Sequence, residues 1–115
     1  MRLFTRKSKK QQPQKEETLR LLDHSGGCLA TNRITLDGCP VGYMYRELSD
    51  RNGDTGWRFF AGDEEESYMA NNSNHGVYAV NTIANISPEI LEYLDTPAPC
   101  AFERIEGSKR FKRIE

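Results

Sequence analysis

The chain has 115 residues, of which 37% are hydrophobic and 29% charged, a length that suits one small domain and excludes separate cofactor and substrate domains. Its formal net charge of -1 conceals an uneven distribution: residues 1–15 hold six basic side chains and no acidic one, whereas residues 16–105 carry six basic and fifteen acidic side chains. No run approaches the roughly 18 apolar residues of a membrane helix, and the basic N-terminus lacks the apolar segment of a signal peptide, so a cytoplasmic protein with no membrane partner is expected.

Taken in order, residues 1–15 combine Lys and Gln with little to bury and read as a basic arm expected to be flexible. Residues 16–24 place Leu19, Leu21 and Leu22 near one face of a short helix, which Gly26 and Gly27 end. Residues 28–36 then read as a strand. Asp37-Gly38 is the strongest turn signal in the chain, so residues 28–36 and 41–48 are expected to form a hairpin. In the second run Tyr43 and Tyr45 share a face, and Met44 points the other way. A polar loop over 49–56 leads into a strand at Trp57-Arg58-Phe59-Phe60-Ala61.

Asp63 with Glu66 resembles a capping box, which predicts a helix beginning at Asp63. Residues 71–76 stop it, and 77–80 resume a strand expected to continue irregularly through Ile83 and Ile86. Ser87-Pro88 suits a helix start, Pro97 and Pro99 end that helix, and 100–105 alternates as a last strand. The expected class is α+β: a single small domain with a mainly antiparallel sheet of about five strands and two or three short helices. Residues 16–105 form that domain, between the arm and a basic C-terminal tail over 106–115.

The chemistry of enzymes is hard to find here. No phosphate-binding glycine loop, nucleophile elbow or local metal-ligand spacing is present, so no cofactor, metal or catalytic residue is assigned. Cys28, Cys39 and Cys100 are odd in number and widely spaced. Reduced thiols are the simpler reading, and a bridge between two of them stays open. The acidic run of residues 63–66 could bind a cation or supply an acid/base pair. The plainer reading makes it the first turn of a solvated helix. Trp57 reads first as core, with a pocket edge as the lesser account. Basic arms could serve a nucleic acid, but an acidic body would repel one, so that partner is disfavoured.

Three strings are more distinctive than their chemistry: YMYRE from Tyr43, DTGWRFFAGDEEESYM from Asp54, and VYAVNTIANISPEILEYLDTP followed by AFER. Together they resemble a bacterial family of predicted immunity proteins of polymorphic toxin systems, number thirty-three of that series and formerly a domain of unknown function. The resemblance covers about residues 27–104. It implies a non-enzymatic protein that neutralises a cognate toxin by binding it, with no catalytic residues to carry over. An acidic body suits a basic toxin, such as a nuclease, through complementary potential.

A five-residue strand spans only about 17 Å, so both its ends fit inside one interface of standard size. Asp54, Arg58, Asp63, Glu64 and Tyr68 are therefore expected to border the partner surface, with Trp57 supporting it from beneath. The alternative is a small-ligand- or metal-dependent enzyme whose site gathers Asp54, Arg58, Asp63 and Glu64 around Trp57. It requires those side chains to converge on one pocket.

Overall fold

The computed structural model describes residues 26–115; the expected arm at 1–15 and helix at 16–24 lie outside the described residues. Six strands form one mixed sheet: β1 (Gly27–Thr31), β2 (Tyr43–Arg46), β3 (Asp54–Phe60), β4 (His75–Ala79), β5 (Cys100–Arg104) and β6 (Phe111–Arg113). Their order across the sheet is β4-β1-β3-β2-β5-β6. Only β1 and β3 run parallel, and the other neighbouring pairs are antiparallel. With the helices α1 (Asn32–Thr35), α2 (Glu66–Ala70) and α3 (Val80–Ile86), the class is α+β, as the alternating patterns implied. The sixth strand comes from residues 111–113, where the sequence reading placed a tail.

The core lies on one face of the sheet. Cys28 and Ala30, Met44, Trp57 and Phe59, and Cys100 and Phe102 alternate inward from their strands. Opposite them, α3 presents Val80, Ile83 and Ala84, the i, i+3, i+4 stripe of a helix packed on one side. A 3-10 helix, Pro88–Tyr93, adds the buried Ile90, with proline at its first positions as expected. Ser87 does not cap it through its side chain. Its Oγ instead accepts from the Val41 amide at 3.2 Å and donates to Glu89 at 2.7 Å. Arg104 pairs with the same Glu89 carboxylate and donates through Nε to the Val41 carbonyl at 2.9 Å.

Two local expectations are corrected. Residues 28–36 are not one strand, and Asp37-Gly38 does not make a hairpin. The chain leaves the sheet after Thr31, and α1 drives Ile34 into the core, fully buried. The Gly38 amide then donates to Ile34 and the Cys39 amide to Arg33, so the turn closes a helix end. The sheet's hairpins join β2 to β3, with Arg46 opposite Trp57, and β5 to β6. The β2–β3 loop returns through Gly56 at φ +89°, where a Cβ would lie 2.1 Å from the Glu47 carbonyl oxygen. Likewise, residues 80–86 continue not as irregular strand but as α3, because the 3.6-residue stripe finds the sheet to bury against.

All three cysteines are free thiols. Cys28 is 1% exposed, and burial pushes its thiol up to about 12, against a smaller opposing pull from Arg58. Burial raises Cys100 as well. Because the thiolate is the nucleophile, N-ethylmaleimide at pH 7.5 is expected to modify Cys39 in the folded protein and the other two on the order of 100-fold more slowly. Intact-mass spectrometry before and after denaturation checks this. Three adducts appearing together on the native protein would contradict the burial of Cys28 and Cys100.

Candidate functional site

The six residues singled out in the sequence fall into two clusters, one buried support and Tyr68 on α2. Asp54 and Arg58 form the first. Their side chains are 11% and 7% exposed, and Arg58 grips the carboxylate with both terminal nitrogens, at 3.0 and 2.8 Å. Arg58 also donates through Nε to Glu47 at 2.7 Å and through Nη1 to the Trp57 carbonyl. Asp54 further accepts from the Gly56 amide and from Ser49 Oγ, so one carboxylate anchors the whole β2–β3 loop. The Arg58 guanidinium holds the Asp54 carboxyl far below the usual carboxylate range.

Asp63 and Glu64 form the second cluster, beyond the far end of β3. Asp63 takes two hydrogen bonds from Arg33, at 2.6 and 3.2 Å, and Arg33 also reaches Asp37. Glu64 accepts from Thr31 Oγ1 and from the Ala61 and Gly62 amides. Burial works to raise the Glu64 carboxyl, but these hydrogen bonds outweigh it and hold the group below its ordinary value. Neither residue caps a helix: α2 starts only at Glu66, with Glu65 at its N-cap and no side-chain cap. The capping box fails because Asp63 and Glu64 are already committed to tying the chain down over the ends of β1 and β3. Tyr68 sits half-buried in α2.

Trp57 is 1% exposed on the opposite face of β3, stacked on Phe59 at 5.8 Å, with Nε1 donating to the Leu94 carbonyl. The groove that Asp63 and Glu64 line does not include Asp54 or Arg58. The single pocket required by the enzyme reading is therefore not assembled by these four residues. Among the described residues no cluster of three or more His, Cys, Asp or Glu is placed to hold a metal ion.

What the sequence reading passed over is the outer face of the sheet, opposite α3 and the 3-10 helix, which α2 reaches at one side through Met69. Register puts Tyr43 opposite Phe60 and Tyr45 opposite Arg58, all turned outward. The three rings form a cluster: Tyr43–Phe60 at 5.6 Å, Tyr43–Tyr45 at 6.0 Å, and Tyr45 stacked on Phe60 at 5.8 Å and 15°. A groove of about 820 Å³ runs along one side, past Tyr43, Phe60, Met69 and Glu103. Another, of about 460 Å³, runs past Tyr43, Tyr45, Leu48 and Pro99 on the other. The signal was legible in the alternation of Tyr43 and Tyr45 about Met44, but it could not show that α3 packs on the other face of the sheet.

The match to known proteins is of one kind. A family model described as the immunity protein Imm33 domain matches residues 28–115, about three quarters of the chain and nearly all of the described part. No curated protein and no solved structure matches. The matched region runs through β6, beyond the span of the resemblance seen in the sequence.

Proposed function

The chain belongs to the Imm33 family of immunity proteins, and from that premise we propose that it neutralises a cognate protein toxin by binding it directly, without catalysis, in the cytoplasm. The family match carries the reading. The structure is compatible with it: the charged groups expected to do chemistry are spent on one another, in the Asp54–Arg58–Glu47 and Asp63–Arg33–Asp37 networks. No helix among the described residues is long and apolar enough to cross a membrane.

In this proposal the two clusters frame the partner surface from either end of β3. Asp63, which is 61% exposed, and Tyr68 stand at one rim. Asp54 and Arg58 act from below by holding the loop, and Trp57 supports the strand from the core side. Glu64 fixes the approach of residues 61–64 to the sheet.

Co-expression with the toxin encoded beside it should restore growth of cells that the toxin alone arrests, and the two purified proteins should co-elute as one complex. A toxin that remains active and unbound in its presence would end the immunity reading. Reversing the charge at the exposed Glu65 and Glu66 tests the rim, since Glu64 is committed to holding the loop. Weakened toxin binding with an unchanged melting temperature is expected, and unchanged affinity would remove this rim from the interface.

A further inference from the structure

We propose that the outer sheet face around Tyr43, Tyr45 and Phe60 is the docking surface itself, and that its occupant is an arginine-bearing cationic segment of the toxin. This inference rests on the toxin-binding reading above and adds the location and the chemistry of recognition.

The charge at this face is acidic on balance, Glu103 and Glu106 against Lys112 among the described residues. Glu103 lies beside Tyr43 in the β2–β5 pairing, and Glu106 follows on the rim of the larger groove; both are exposed, and neither carboxylate has a partner among the described residues. Glu47, half-exposed and already paired with Arg58, stands at the other groove. The nearby arginines do not offset them. Arg104 turns to Glu89 and to the Val41 and Ser108 carbonyls. Arg46 lies over the Trp57 ring and donates to the Thr55 and Thr96 carbonyls. Arg58 is buried between two carboxylates. Lys112, opposite Glu103 on β6, also shares this face, and it makes no ion pair among the described residues.

Three half-buried rings edged by unpaired carboxylates match one kind of side chain better than others. A guanidinium is weakly hydrated and planar, so it stacks on an aromatic face and still donates to a carboxylate at its edge. A lysine ammonium satisfies the charge but not the stacking. A nucleic acid would stack on the rings, yet its phosphates would meet Glu103, Glu106 and Glu47. A second copy of this chain would bring the same carboxylates against themselves. The grooves flanking Tyr43 have room for an extended segment crossing the strands.

Two measurements test the inference separately from the function. Titrating the isotope-labelled full chain with an octa-arginine peptide should shift the signals of Tyr43, Tyr45 and Phe60, and an octa-lysine peptide should bind about tenfold more weakly. The variant Glu103→Lys/Glu106→Lys should abolish the arginine-induced shifts with an unchanged melting temperature. Shifts centred elsewhere, or equal binding of the two peptides, would overturn the proposal. In the second measurement, Tyr43→Ala and the double charge reversal should each weaken affinity for the cognate toxin at least about 30-fold, as at interface hot spots. A toxin that binds wild type and both variants alike would overturn the docking face while leaving the immunity function intact. A wild type that binds octa-arginine at these rings but not the toxin would sustain the face and remove the immunity reading.

Discussion

Replacing Asp54 with alanine is expected to cost about 3–5 kcal/mol of folding stability, because it leaves a buried guanidinium without its main counter-ion. Arg58 is only 7% exposed, and after the substitution Glu47, itself half in solvent, is the remaining carboxylate. The loop loses its anchor at the same time, since the Gly56 amide and Ser49 Oγ both bond to Asp54. Urea denaturation at pH 7 measures the loss as a lowered midpoint; a change below about 1 kcal/mol would mean the pair is far better solvated than its burial implies. Substituting both partners with apolar residues, Asp54→Leu with Arg58→Met, should recover much of the loss, because no orphaned charge then remains.

The same pair sets an acid limit. The Asp54 carboxyl has a folded pKa well below its unfolded value of about 3.9, so its contribution is present above that value and is lost as pH falls toward the folded pKa. Wild-type stability should therefore drop below about pH 4, and Asp54→Asn should show a shallower decline over that window from a lower starting point.

Truncating Trp57 to alanine is expected to cost about 3–5 kcal/mol, in the range measured for large aromatic side chains deleted from cores. Trp57 sits where three things meet. It stacks on Phe59 at 5.8 Å, lies beneath Arg46, and ties the segment after the 3-10 helix to the sheet through Leu94. Trp57→Phe keeps most of the apolar contact and loses the indole hydrogen bond, for a smaller cost of about 1 kcal/mol or more. As the sole tryptophan, it also reports on itself: native emission should be blue-shifted and should move to the red on unfolding. If Trp57→Ala abolished toxin binding with no loss of stability, the residue would be a contact and not a core support.

The fold class was legible because period-two and period-3.6 patterns each ask for a surface to bury against. Trp57, read first as core, is buried, and Met44 points to the core while Tyr43 and Tyr45 point away from it, as their alternation implied. Local rules failed where two nearby elements competed. Asp37-Gly38 is as good at closing a helix as at turning a hairpin, and Ile34 decided the matter, because its burial requires α1 to lift off the sheet. Asp63 and Glu66 have capping-box spacing, but Arg33, thirty residues upstream, takes Asp63 first. The stretch 111–113 offers too few residues to declare itself a strand without the β5 edge to pair with.

The candidate surface divides in the same way. By itself the sequence determined the acidic body, the lack of a local catalytic motif, and strings distinctive enough to resemble one family. All of these are properties of residue type and of spacing along the chain. Tertiary structure decided which of the expected residues are available to a partner. It sequestered Arg58 and most of Asp54, engaged Asp63 and Glu64 in holding a loop, and left Tyr43, Tyr45, Phe60 and Glu103 on the sheet face opposite α3. That outcome depends on strand order and on which side of the sheet the helices pack. Both are set by long-range burial and pairing, which no window of neighbouring residues contains.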